Sequence, residues 1–94
     1  MVRYTVPPEH APQVDAAIEQ LFAAVRRQQP AGIRYWYGRL ADGATYVALL
    51  ELDEGVDNPL LALPEARQFQ AELRRYVAAP PPEPVTVLGS YRSA

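Results

Sequence analysis

The dipeptide Asp42-Gly43 lies between two alternating runs that together reach from Ile33 to Leu52, and it limits what this chain can fold into more than any other feature. Asp-Gly in that setting is a strong hairpin signal, because a type I′ turn needs positive φ at both central residues. With these two as the loop, Ala41 faces Ala44 and pairing runs back to Ile33 opposite Leu52. One face of the hairpin then carries Ile33, Tyr35, Tyr37 and Arg39 against Leu52, Leu50, Ala48 and Tyr46. The other carries Arg34, Trp36, Gly38 and Leu40 against Glu51, Leu49, Val47 and Thr45. Both faces are largely apolar, so both need cover.

The flanking segments supply that cover. Val2, Tyr4 and Val6 alternate with Arg3 and Thr5 until Pro7-Pro8 stops the run, which reads as a first strand. Val14, Ala17, Ile18, Leu21, Phe22 and Val25 form one stripe of an amphipathic helix. Pro12 is harmless only in its first turn, so the helix starts between Glu9 and Pro12. After the hairpin, residues 53–57 read as a loop, and Asn58-Pro59 caps a short turn through Leu60, Leu61 and Leu63. Pro64 opens a second helix with the stripe Ala66, Phe69, Leu73, Tyr76 and Val77. Pro80-Pro81-Pro82 forces an extended exit, and residues 85–90 alternate as a last strand.

The order β-α-β-β-α-β predicts an α+β, ferredoxin-like domain spanning residues 1–94, with a four-stranded antiparallel sheet and two helices on one face. The helices leave the other sheet face bare. Trp36, Leu40, Val47 and Leu49 would form an exposed apolar patch of a kind monomers avoid, so a homodimer with these residues at its interface is expected.

Charge and composition remove several classes of function. Net charge is −2, and basic residues pair only as Arg26-Arg27 and Arg74-Arg75, late in the predicted helices where cations suit the helix dipole. A nucleic-acid surface needs a basic face, so no nucleic-acid partner is expected. With no cysteine there are no disulfides and no thiolate metal sites. No apolar stretch approaches the roughly 20 residues of a membrane span, and Met1-Val2-Arg3-Tyr4 lacks a signal-peptide core. The expectation is a cytoplasmic protein with no membrane partner. All nine basic residues are arginine, which with abundant alanine and proline fits a GC-rich bacterial genome.

Few residues are suited to chemistry. His10 is the only histidine and reads as a surface residue near a helix start; alone, it makes a metal or haem site doubtful, and no metal or cofactor is expected. Glu51 opposes Arg34 as a cross-strand ion pair, and Asp53, Glu54 and Asp57 read as turn chemistry. No nucleophile–base pair or glycine-rich phosphate loop is present. The aromatic set is different. Tyr35, Tyr37 and Tyr46 project from one hairpin face with Arg39 beside Tyr46, and Tyr4 joins them if the first strand pairs alongside. These groups either fill a core with their hydroxyls at its rim or line a pocket for a flat, oxygenated molecule. Trp36, on the opposite face, reads as an interface anchor.

Gly32-Ile33-Arg34-Tyr35, the run Tyr46-Val47-Ala48-Leu49-Leu50-Glu51 and the helix start Pro64-Glu65-Ala66-Arg67-Gln68-Phe69 resemble the dimeric α+β barrel superfamily, and within it the antibiotic biosynthesis monooxygenase-like proteins. The resemblance runs from Tyr4 to Tyr91 and rests on patterns of fold more than of chemistry. It implies a dimer whose two sheets close a barrel, with a small aromatic or quinone-like ligand in each helix–sheet cleft. It also implies cofactor-free oxygenation of aromatic polyketides or quinols, in which Tyr37, Tyr46 and Arg39 would bind substrate and stabilise an enolate or phenolate. Where members often carry a tryptophan ending the third strand and a histidine leading into the last helix, this chain has Leu52 and Leu60, so no catalytic residue carries over. The alternative is a non-catalytic dimer that binds, senses or supports.

Overall fold

The computed structural model describes residues 1–78 and 80–91. Strand β1 covers Val2–Thr5 and is followed by a 3₁₀ turn at Pro8–His10 and helix α1, Ala11–Gln28. Strands β2, Ile33–Arg39, and β3, Thr45–Leu52, form the hairpin. A second 3₁₀ turn at Pro59–Ala62 leads into helix α2, Pro64–Leu73. Pro12 falls in the first turn of α1, and the Asn58 side chain accepts from the Leu60 amide at 3.0 Å, capping the turn as its sequence predicts. α2 is shorter than its stripe: Tyr76 and Val77 lie beyond it in a turn, still packed against the core.

The sheet is antiparallel with β3 in the centre, in the order β1-β3-β2. Ile33 pairs with Leu52 and Arg39 with Tyr46, the register expected from the sequence. The turn that sets it is different. Only Gly43 takes positive φ, +75°, and its amide donates to the Leu40 carbonyl at 3.0 Å, while Leu40 and Thr45 close the loop through a 2.8 Å bond. The hairpin therefore has a four-residue loop, Ala41 to Ala44, in place of a two-residue type I′ turn. The Asp42 carboxylate explains the preference. It accepts from the Ala44 and Thr45 amides at 2.9 Å each and from the Thr45 hydroxyl at 2.6 Å, all of which a type I′ turn would forgo. Because both loops hold an even number of residues, the faces of the strands are unchanged.

One face of the sheet packs on the helices. Tyr4 and Tyr46 from the strands, with Val6 just after β1, meet Val14 and Leu21 of α1 and Phe69 and Leu73 of α2 in the main core. An Arg27–Glu65 contact of 3.1 Å links α1 to α2 outside it. Among the described residues no helix covers the other face. There Trp36 is half exposed and its ring lies along the strand over Gly38, where a methyl group would meet Trp36 Cζ3 at 3.3 Å. Leu40 is exposed beside it, and Arg34 and Glu51 approach to 3.7 Å across the hairpin.

The molecule is α+β with two helices on one sheet face, but among the described residues the sheet has three strands and not four. Residues 80–91 form no strand. Met1 and Glu83 exchange backbone hydrogen bonds of 2.6 and 2.7 Å, the reciprocal pair of an antiparallel ladder. Continuing that register along β1 would set Pro82, Pro81 and Pro80 opposite Val2, Arg3 and Tyr4, and proline has no N–H to donate. In the other direction the segment passes Met1, and Pro84 and Val85 border the same cleft as Leu49 and Leu50 of β3. The last strand expected over residues 85–90 does not form, and the prolines before it deny the segment a place beside β1.

Candidate functional site

β2 and β3 are longer than β1, which pairs only with residues 45–48 of β3. Among the described residues, the stretch of β3 from Leu49 to Leu52 therefore pairs with a strand on one side only. Over this part of the sheet α2 and its preceding 3₁₀ turn do not close down completely, and they leave a cleft of about 710 Å³. Tyr35, Tyr37 and Leu50 form its floor, Leu60 and Phe69 form one wall, and the segment from Pro80 to Val85 crosses its edge. Ligand sites typically span roughly 300–1,000 Å³ and combine apolar walls with a few polar groups, and this cleft has both properties.

Its polar groups are few. Tyr37 shares a hydrogen bond with the Tyr4 hydroxyl, and burial followed by that bond pushes its phenol far above the ordinary range. Tyr35 is pushed up to about 12 by burial alone, and its hydroxyl has no hydrogen-bond partner among the described residues. It stacks on Phe22 at 4.9 Å, which fixes the ring. Both phenols are protonated at neutral pH. Arg67 of α2 and Glu83 of the crossing segment are the charged residues on the lining, both at its exposed edge, and Arg67 makes no ion pair among the described residues. Asn58 and Gln70 add neutral amides.

Tyr46 and Arg39 lie elsewhere. Tyr46 is 1% exposed, stacked on Tyr4 at 5.5 Å, and donates to Asp15 Oδ1 at 2.6 Å, with the Ala11 carbonyl at 3.2 Å. Arg39 closes on the other oxygen of Asp15. The two residues thus clamp the start of α1 to the end of the hairpin, and neither lines the cleft. Of the four residues expected around a ligand, the structure brings Tyr35 and Tyr37 to the cleft and commits Tyr46 and Arg39 to the core and its rim. Asp15 decides the split. It sits one residue after Val14 of the α1 stripe, and nothing in the spacing says that it reaches across to the sheet.

The remaining sequence candidates are also placed. Leu60 is buried on the cleft wall and Leu52 is exposed at the end of β3. His10 precedes α1 with its ring 4.9 Å from that of Tyr76 and its Nε2 3.7 Å from Glu9, away from the cleft. Trp36, Leu40, Val47 and Leu49 share the open side of the sheet by register, although Leu49 also borders the cleft at the bare edge of β3. Among the described residues no group of three or more His, Asp or Glu is placed to hold a metal ion, and no helix is long and apolar enough to cross a membrane.

Comparison with known protein families, with curated proteins and with solved structures finds no match to this chain. The likeness to dimeric α+β barrel proteins accordingly rests on the sequence patterns given above. The lining residues that sequence reasoning missed are Arg67, Gln70, Asn58 and Glu83. The first two flank Phe69 on α2 and read as ordinary solvent positions. Glu83 sits in a proline run whose path only the fold reveals.

Proposed function

We infer that this chain binds a small, flat, mostly apolar molecule carrying a hydrogen-bond acceptor, in the cleft between the sheet and α2. The observation that carries the reading is Tyr35: a protonated phenol with no protein partner, fixed by Phe22, on the floor of a largely apolar cleft. The Tyr35 ring is partly buried but its hydroxyl opens on the cleft, so a ligand carbonyl or phenolate oxygen can accept from it in place of water. Arg67 at the edge favours ligands with an acidic group on the far side. Quinones and polyphenols have this combination of flat ring and peripheral oxygen.

Binding without catalysis is the reading preferred. The phenols are held protonated, no histidine lines the cleft, and Leu60 stands where the resembling family often has one. Cofactor-free oxygenation is the second reading, favoured by the Tyr35 donor, which would stabilise an oxyanion formed on a substrate acidic enough to ionise unaided. A thermal-shift screen of hydroxynaphthoquinones, anthrones and hydroquinones tests the first. A ligand at about 100 times its dissociation constant adds about 2.7 kcal/mol of stability, and no response across the panel would sink the proposal. Oxygen uptake above the blank, lost without the protein, decides for the second.

The reading includes a homodimer formed through the bare sheet face. Trp36, Leu40, Val47 and Leu49 give that face an apolar strip that two-fold pairing would bury on both copies. Light scattering at micromolar concentration is expected to return twice the 10.4 kDa chain mass, and a monomer would defeat this part alone.

A further inference from the structure

The cleft has walls of two kinds. Its floor lies in the sheet, and Leu60, Phe69 and Leu73 on the α2 side are buried, so none of these moves without opening the core. The segment from Pro80 to Val85 is different. Pro80, Pro82, Glu83, Pro84 and Val85 all border the cleft, yet residues 81–91 are exposed throughout. Four of the five residues from 80 to 84 are proline, which fixes φ and removes the backbone donor, so this stretch is a stiff extended arm. Glu83 is the one residue in that run with an N–H, and it donates to the Met1 carbonyl at 2.7 Å. The Met1 amino group returns a 2.6 Å bond to the Glu83 carbonyl. Met1 directly precedes β1, whose Val2 pairs with Ala48 of β3, so its side of the contact is fixed to the sheet. Among the described residues, the segment 80–91 makes no other hydrogen bond.

Resting on the cleft as the ligand site, we propose that residues 80–85 are a strap that controls entry to it, with the Met1–Glu83 backbone pair as its pin. Two solvent-exposed backbone bonds open far more readily than the packed walls, because water replaces each partner as it leaves. Once they part, the proline run cannot bend within itself, so the arm swings as one piece and carries Pro84 and Val85 off the cleft mouth. That movement uncovers Leu49 and Leu50 at the end of β3 and gives a flat ligand a way in beside the sheet. When the pair re-forms, Pro84 and Val85 lie over the bound molecule and shield it from water. Neither Met1 nor Glu83 belongs to the core cluster, so loosening the pin changes passage and leaves the fold intact.

Replacing Glu83 separates the pin from the side chain. Glu83→Pro removes the N–H that the Met1 carbonyl receives and suits an extended proline run, whereas Glu83→Ala keeps that N–H. The chain has no cysteine, so Ala66→Cys on the cleft wall reports access through its labelling by a slow, neutral maleimide. Gln20→Cys, at an exposed position of α1, reports general loosening. With reclosing faster than labelling, the rate follows the open population. Adding Glu83→Pro is expected to speed labelling at position 66 about fivefold, the factor for one lost hydrogen bond, with no change from Glu83→Ala and none at position 20. Equal rates in Glu83→Pro and Glu83→Ala, or the same acceleration at position 20, would overturn the strap. Stopped-flow exchange of the hydroxynaphthoquinone lawsone keeps the two readings apart. Faster entry and exit in Glu83→Pro support the strap, and binding whose rates that variant leaves unchanged overturns it. No lawsone binding in any variant, with position 66 still accelerated, counts against the ligand reading and leaves the strap standing.

Discussion

The two halves of the helix-facing sheet surface use the same residue type to opposite ends. At the α1 end, Tyr46 is sealed under the helix start and its hydroxyl is answered by Asp15 and the Ala11 carbonyl. At the α2 end, Tyr35 is similarly held by an aromatic neighbour, yet its hydroxyl is left unanswered beside a cleft. Tyr4 and Tyr37, hydrogen-bonded to each other, mark the boundary. Helix length makes the difference. α1 runs for 18 residues and packs along the sheet, whereas α2 has 10, and β1 is too short to support the far end of β3. A tyrosine hydroxyl is tied into the core where a partner reaches it, and is left open to a cleft where none does.

The contrast can be broken most severely at the sealed end. Tyr46→Ala removes a fully buried aromatic and is expected to cost about 3–5 kcal/mol in urea unfolding. Tyr46→Phe keeps the ring but deprives Asp15 and the Ala11 carbonyl of their donor, for about 1–2 kcal/mol. At the open end Tyr35→Phe should leave stability within about 0.5 kcal/mol, since no protein bond is lost, while weakening a quinone or polyphenol found in the thermal screen by about tenfold, near the value of one hydrogen bond. If Tyr35→Phe destabilises as much as Tyr46→Phe, the two ends are alike and Tyr35 belongs to the core. Arg67→Gln refines the picture further: a few-fold loss is expected for acidic ligands and none for neutral ones, measured by titration at two salt concentrations.

The smallest expected effect concerns pH and the hairpin loop. Asp42 is held down to about 2 from its ordinary 3.8, first by the Thr45 hydroxyl and then by the Ala44 and Thr45 amides. A depressed carboxylate stabilises the fold above its ordinary value, and that contribution disappears as pH falls through the interval from about 4 to about 2. Urea midpoints across that interval should fall less steeply in Asp42→Asn than in the unmodified chain. Parallel slopes would show that the loop contacts contribute nothing.

Much of the local structure was legible because it is written in periodicity and in special residues. Alternation placed every hairpin side chain on its observed face, and the α1 stripe from Val14 to Val25 became the buried side of that helix. Asn58 and Pro64 marked their turn and helix start by capping chemistry. The loop at Asp42-Gly43 was misread because Asp42 has two oxygens to satisfy, and a longer loop brings it three donors. Of the four residues expected around a ligand, Tyr35 and Tyr37 line the cleft and Arg39 and Tyr46 do not. Tyr35, Tyr37, Arg39 and Tyr46 do share a face, but sharing a face does not say which residues a helix will cover.

The sequence alone determined strand register, helix faces and the charge balance, since each follows from neighbours within a few positions along the chain. Tertiary structure decided the rest. Asp15 reached Tyr46 and Arg39 across more than twenty residues, α2 stopped short of Tyr35, and Glu83 paired with Met1 and left residues 84–91 beyond the sheet. Those outcomes depend on where whole elements end in space. Side-chain periodicity carries the direction of each residue but not the distance to what lies opposite.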